Sequence, residues 1–349
     1  MVIGGSTIQR GSRETVHLPV APMYTAMEMT MPVHVIRGKK DGPRLFVSAA
    51  IHGDEINGVE IIRRLLARPE LSRLRGTLIA VPVVNVYGYT ARSRYLPDRR
   101  DLNRSFPGSQ TGSMASRLAD TFMQEIVENA THGIDLHTGA VHRTNLPHVR
   151  VCFSQKESLE LAQAFRVPLI MHSDLRDGSL RQAVVETDVP MLLYEAGEAL
   201  RFDEQAIRVG LRGVLNVMRT IGMLPARRAS RKQVQPLIAK SSRWMRAPDS
   251  GTLVSMCSVG DVVSEGQVLA LVTDPLGREE IPIKARTAGV IVGATVLPLV
   301  YEGEALFNVA ELETNRDAVG ALERFESNLG VDPDLPPSLE AAQAHDPID

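Results

Sequence analysis

The stretch Arg44-Leu45-Phe46-Val47-Ser48-Ala49-Ala50-Ile51-His52-Gly53-Asp54-Glu55 decides the fold class. Its apolar run has the length of a buried strand and stops at His52-Gly53, so a loop carrying an imidazole and two carboxylates sits at a strand end. Immediately afterwards, residues 58–66 place Ile61, Ile62, Leu65 and Leu66 at helical spacing, and Pro69 closes the run. A strand hands over to a helix. Further apolar runs at 77–85, 133–137 and 190–194, with helical patterns over 114–129 and 204–219, repeat the alternation. The pattern predicts an α/β domain on a largely parallel or mixed sheet, and such sheets bind ligands at the carboxyl ends of their strands.

Composition sets the outer bounds. With 349 residues and 44% hydrophobic content, the chain is long enough for two domains. A net charge of -2 and only 4% aromatic residues argue against nucleic acid as a partner and against an anionic membrane surface. No basic leader precedes an apolar core at the start, and no apolar stretch reaches about 18 residues, so a cytoplasmic protein outside the membrane is expected. Cys152 and Cys257 are the only cysteines, too few for a disulfide framework or a cysteine-based zinc ribbon. Any metal must be held by histidines and carboxylates. Assembly into a homo-oligomer is left open.

The polar, basic segment 227–232 reads as a linker that ends a first domain at 1–235. Beyond it, over 247–312, short Val/Leu/Ile runs alternate with glycines and helical periodicity is lost, which predicts an all-β module at 240–315. Residues 247–254 (Ala-Pro-Asp-Ser-Gly-Thr-Leu-Val) return as 285–292 (Ala-Arg-Thr-Ala-Gly-Val-Ile-Val), the mark of a pseudo-symmetric sandwich. The module resembles the barrel-sandwich hybrid of biotinyl and lipoyl domains. Its turn at 274–278, however, lacks the lysine that carriers modify, and Lys284 lies in the strand after it. Residues 316–349 form a charged tail, Pro- and Ala-rich from Asp332 and expected to be partly mobile.

His52 and Glu55 share one tight loop, and His137 ends another short apolar run in Ile134-Asp135-Leu136-His137-Thr138-Gly139. Two His and one Glu, with a fourth position left to water, is the ligand set of hydrolytic zinc, and two imidazoles favour Zn²⁺ over Mg²⁺. Either histidine alone reads as a hydrogen-bonded loop residue; jointly, both at strand ends, they favour one zinc per chain. Glu195 follows the apolar run 191–194 and is the candidate general base. Glu198 is the second candidate, with a place at the start of the next helix as its plainer role. The loop 91–108 carries Arg92, Arg94, Arg99, Arg100 and Arg104. Asn103 and Arg104 make a plausible carboxylate clamp, whereas Arg99 and Arg100 read as a solvated face.

Together, His52-Gly53-Asp54-Glu55, the run 101–108 (Asp-Leu-Asn-Arg-Ser-Phe-Pro-Gly), Asp135-Leu136-His137-Thr138-Gly139 and Glu195-Ala196-Gly197-Glu198 resemble the succinylglutamate desuccinylase/aspartoacylase family of zinc carboxypeptidase-like hydrolases. The resemblance implies a mixed sheet flanked by helices, with a β-rich C-terminal domain. It implies zinc on His52, Glu55 and His137, and Glu195 as catalytic base. Asn103 and Arg104 would hold a substrate α-carboxylate, Arg94 would stabilise the oxyanion, and Arg181 would be a further substrate contact. The expected activity is a zinc-dependent deacylase acting on a small anionic N-acyl amino acid such as an N-acetyl or N-succinyl one. Deacetylation of an N-acetyl-diamino acid, as in related ectoine-degradation enzymes, is one candidate. A metallocarboxypeptidase or an esterase on the same site is the alternative, and a non-catalytic scaffold built around the β module is a distant third.

Overall fold

The computed structural model describes residues 1–226, 235–312 and 317–330; the expected linker at 227–232 and the Pro- and Ala-rich end from Asp332 lie outside them. One sheet of twelve strands runs through the molecule. At its centre Lys40–Ala49 pairs in parallel with Arg75–Val81 on one side and His132–Gly139 on the other. His132–Gly139 in turn pairs in parallel with Met191–Glu198, and the neighbour beyond, Arg143–Val151, is antiparallel. The sheet is mixed, as expected.

Strand alternation sorts the side chains. Leu45, Val47 and Ala49 enter one core together with Ile134, Leu136, Leu192 and Tyr194, while Phe46 enters the core on the opposite face with Ile79 and Val81. The first core is covered by helices Asn57–Leu66, Lys156–Phe165 and Glu204–Thr220, and the second by Met114–Phe122. Each buried Leu or Ile in these cores contributes about 1.5–3 kcal/mol. Glu204–Thr220 begins where Asp203 accepts a bond from the Ala206 N–H, a cap worth about 1 kcal/mol. Among the described residues, no helix is long and apolar enough to cross a membrane.

Elements that composition did not reveal have physical reasons for hiding. Arg13–Val20 and Met29–Arg37 form one margin of the sheet and carry Pro19 and Pro32, residues that read as breaks yet are tolerated at sheet margins. Arg143–Val151 is a central strand with a polar sequence, Arg-Thr-Asn-Leu-Pro-His-Val-Arg-Val, because part of it faces the cleft.

Between Leu237 and Leu312 every regular element is a strand. The first copy of the repeat lies at Gly251–Ser255 in a four-stranded sheet, and the second at Gly289–Thr295 in the large sheet. Leu253, Leu269, Ile283, Ile291 and Phe307 fill the space between them. The expected boundary near 235–240 does not interrupt the large sheet: Leu237–Arg246 pairs in parallel with Leu169–His172. Gly289–Thr295 pairs with Ala305–Leu312 and also with Arg143–Val151. Leu169–His172 pairs with Arg143–Val151 as well, so these strands close a ring around Leu146, Leu169, Met171, Ala239, Val290, Val292 and Ala310. The charged composition after Arg316 signals no helix, yet Ala318–Gly330 is one, and it packs Phe325 into the first core beneath the Arg212 guanidinium.

Candidate active site

The strand rule that buries Ile134 and Leu136 sends Asp135 and His137 to the other face, and the parallel register sets Glu195 directly beside His137. His52 and Glu55 arrive on the loop after Lys40–Ala49. That loop presses so close to Gly88 that a Cβ on Gly53 would stand 1.9 Å from the Gly88 carbonyl carbon. Glycine is required there by contact.

His52, Glu55 and His137 are buried, and one ligand atom from each lies within 4.8 Å of the others. His52 Nδ1 is 2.6 Å from Glu55 Oε1, and His137 Nδ1 is 2.7 Å from Glu55 Oε2. Each imidazole is backed by a carboxylate on its far nitrogen: Asp101 at 3.1 Å from His52 Nε2, Asp135 at 2.7 Å from His137 Nε2. Burial alone would push the Glu55 carboxyl up, but His52 and His137 outweigh it and hold it well below the usual carboxylate range. Burial likewise opposes charge on His137, yet Asp135 and Glu55 raise it well above an ordinary imidazole. His52 moves up too, with Glu55 and Asp101 outweighing its burial.

The donor set fits a divalent zinc ion. Four carboxylates, Asp54, Glu55, Asp101 and Asp135, crowd this pocket, and Asp54 Oδ1 is buried without a hydrogen-bond partner. Burial, and then the Glu55 charge, push the Asp54 carboxyl up. Arg94 stands against them, bonded to Asp101 Oδ2 at 2.9 and 3.2 Å and 3.4 Å from Glu55 Oε1. Buried carboxylates need positive charge beside them, from the two raised imidazoles or from a cation held between the ligand atoms. Two imidazoles with carboxylates behind them are the arrangement that fixes and strengthens nitrogen ligands.

Glu195 is half-buried. The Asn145 side-chain amide donates to its Oε2 at 2.6 Å, and Arg150 Nε lies 3.5 Å from its Oε1. Glu198 does not start a helix; its Oε1 accepts from the His142 N–H at 3.0 Å and its Oε2 pairs with Arg201 at 3.3 Å, while the next helix is capped by Asp203.

On the substrate side, a short turn at Leu102–Arg104 buries Asn103, whose Oδ1 accepts from the Leu180 N–H at 2.9 Å and leaves its amide hydrogens on offer. Arg104 is exposed and bonds back to the Asn103 carbonyl. Burial, and then the nearby Arg150, lower the Arg181 guanidinium to about 10. Arg181 donates to the carbonyls of Ser173 and Asp174 at 2.9 and 2.6 Å, so its first task is to hold that loop. Arg92, Arg99 and Arg100 are exposed.

Residues 41–221 match the Succinylglutamate desuccinylase/Aspartoacylase catalytic domain. The chain belongs to this family. The resemblance carried by the four motifs is borne out, and membership places the chain among deacylase-type hydrolases. It is 28% identical over 308 residues to an N-alpha-acetyl-L-2,4-diaminobutyric acid deacetylase of Halomonas elongata, covering 84% of this chain and 90% of that protein. In fold it is similar to a succinylglutamate desuccinylase/aspartoacylase from Rhodobacter sphaeroides, with TM-score 0.79, 23% identity, and 88% and 98% of the two chains covered. The product-bound ectoine utilization protein EutE (DoeB) from Ruegeria pomeroyi matches with TM-score 0.78, 24% identity, and 87% and 98% coverage.

Asp101 and Asp135 sit inside the quoted family motifs at two residues from Asn103 and His137, a spacing that could have marked them as backing groups. Asn145 and Arg150 give no such signal. They reach Glu195 only through the antiparallel pairing of two strands far apart in sequence.

Proposed function

We propose that this protein is a zinc-dependent deacylase that cleaves the amide bond of a small N-acyl amino acid, with Glu195 as general base. The observation that carries the reading is the register of Glu195 beside His137, which sets a carboxylate at the edge of a buried His-Glu-His cluster. His52, Glu55 and His137 would hold one zinc ion, which when bound polarises the scissile carbonyl and makes a coordinated water more acidic. Asn103 and Arg104 bind the α-carboxylate of the substrate and aim its amide at the cluster. Arg94 offers positive charge to the oxygen on which charge develops. Glu195 takes the proton from the attacking water and delivers it to the departing amine nitrogen. Arg181 supports the loop that borders this cleft and contacts the substrate from there. The Halomonas relative, named for its action on an N-acetylated diamino acid, makes N-acetyl amino acids the first substrates to test. A hydrolase unit at 1–235, a barrel-sandwich-like β unit at 240–315 and a cytoplasmic setting belong to the same reading.

The test is turnover of a panel of N-acetyl and N-succinyl amino acids, beside C-terminal peptides and simple esters, with and without a chelator. Chelator-sensitive amide hydrolysis with one zinc per chain is expected. Glu195→Gln should keep its metal and lose at least about 10²-fold in kcat. Turnover that survives metal removal, or a fully active Glu195→Gln protein, overturns the mechanism.

A further inference from the structure

The carboxylate of Glu195 takes a hydrogen bond on one oxygen and has a guanidinium charge beside the other, both from one neighbouring strand. Asn145 donates to Oε2 at 2.6 Å, and Arg150 Nε stands 3.5 Å from Oε1. Arg150 is itself aimed. His148 Nδ1 lies 2.7 Å from the Leu146 carbonyl and so carries the hydrogen there, which leaves Nε2 to accept from Arg150 Nε at 3.3 Å. Burial lowers His148 to about 4, so the ring stays a neutral acceptor at ordinary pH.

Simple alternation would not bring both residues to Glu195. Glu195 pairs with His148, so Arg150, two positions on, shares its face, whereas Asn145 would point to the other side. A bulge prevents this: between the pairs Glu195–His148 and Gly197–Asn145 one strand advances two residues and the other three. The extra residue falls beside Pro147, which cannot donate to a ladder and is at home in a bulge. Bulges re-aim side chains next to active sites, and this one turns Asn145 toward the base. Behind Asn145 stands Gly293, its register partner on Gly289–Thr295, where any Cβ would lie 2.8 Å from Asn145 Oδ1.

We infer that Asn145 is a positioning residue for Glu195, with the Arg150 charge beside the second carboxylate oxygen and Gly293 of the C-terminal strand packed behind Asn145. This rests on reading Glu195 as the general base. The Asn145 hydrogen bond on Oε2, with the Arg150 charge beside Oε1, favours one orientation of the carboxylate before substrate enters. The substrate α-carboxylate is left to Asn103 and Arg104, so the loss of Asn145 falls on kcat and not on KM.

The experiment measures kcat and KM, with zinc content checked, for Asn145→Ala, Asn145→Asp, Gly293→Ala, Glu195→Gln and the double variant Glu195→Gln/Asn145→Ala, using the N-acyl amino acid the enzyme turns over fastest. Asn145→Asp keeps the shape of the side chain and loses the donor. Both Asn145 variants should lose about 10–10²-fold in kcat, part of what general-base catalysis supplies, with KM within about twofold. Gly293→Ala should show a smaller loss of the same kind. In the Glu195→Gln background, Asn145→Ala should add nothing, because a residue acting through Glu195 has nothing left to position. A crystal structure of Asn145→Ala should show the Glu195 carboxylate in more than one orientation. Wild-type kcat in both Asn145 variants while Glu195→Gln is inactive overturns the inference alone, as does a full additive loss in the double variant or an unmoved Glu195 in the crystal. An active Glu195→Gln removes the general base itself, and the inference with it.

Discussion

Asp135→Asn tests whether the carboxylates behind the histidines tune the metal site. Asp135 is buried, its Oδ2 lies 2.7 Å from His137 Nε2 and its Oδ1 accepts from Ser48 Oγ at 2.8 Å. The substitution keeps volume and shape but replaces a charged acceptor with a neutral one. An asparagine oxygen can still accept from His137, while its amide nitrogen must face Ser48, whose hydroxyl can turn to the Ile134 carbonyl at 3.5 Å. A hydrogen bond to a charged group contributes about 1.5–3 kcal/mol against about 0.5–1.5 for a neutral one, so about 1–1.5 kcal/mol of ligand strengthening is lost. That corresponds to roughly tenfold weaker zinc binding, at the lower end of the 10–100-fold range found for such backing groups. The assay is competition for zinc against a chromophoric chelator at fixed pH, with His137→Ala as the limit of complete loss. Affinity within twofold of wild type would refute the reasoning, and so would a loss as large as that of His137→Ala.

His148 predicts a pH effect on folding. Its folded value is lowered to about 4 from an ordinary 6.5, chiefly by burial and then by Arg150, so between those values the unfolded chain binds the proton and the folded chain does not. Stability is fully present above about pH 6.5 and falls by up to about 3 kcal/mol as pH drops toward 4. In urea titrations His148→Gln should flatten this dependence, and identical slopes would exclude it. Gly213→Ala would put a Cβ 2.0 Å from the Phe165 ring, so the unfolding midpoint should drop by an amount equivalent to about 1–3 kcal/mol, with kcat retained; a stabilised protein would contradict the packing. Arg104→Lys, which loses the planar fork, should raise KM by about tenfold and spare kcat in steady-state assays, and an unchanged KM would detach Arg104 from the substrate.

The central strands and the His52-Glu55-His137 cluster were legible because their chemistry coincides with sequence order. An apolar run ends in His52, His137 or Glu195, and a glycine follows within two residues. Arg143–Val151 was hidden for the opposite reason: its polar side chains serve the cleft, so it lacks the apolar pattern that marks a strand. Asn145 and Arg150 were lost with it. The α/β alternation predicted a mixed sheet, but not that strands after residue 235 continue it, since pairing between Leu237–Arg246 and Leu169–His172 leaves no local mark. Arg94 could be separated from Arg92 only by geometry: the first bonds Asp101, and the second ends a helix in the left-handed conformation.

The closed ring of strands also bears on how the protein is made. Its seam joins Asn145 to Gly293, so a chain emerging from the ribosome at about 5–20 residues per second waits roughly 7–30 s between the two. Until then residues 143–145 of that strand have an unpaired edge and the apolar filling of the ring is open to water. Synthesis thus passes through a stage in which His52, Glu55, His137 and Glu195 already exist as polypeptide but the wall behind them does not. A nascent chain of this kind would be a client for chaperones before it could be a hydrolase.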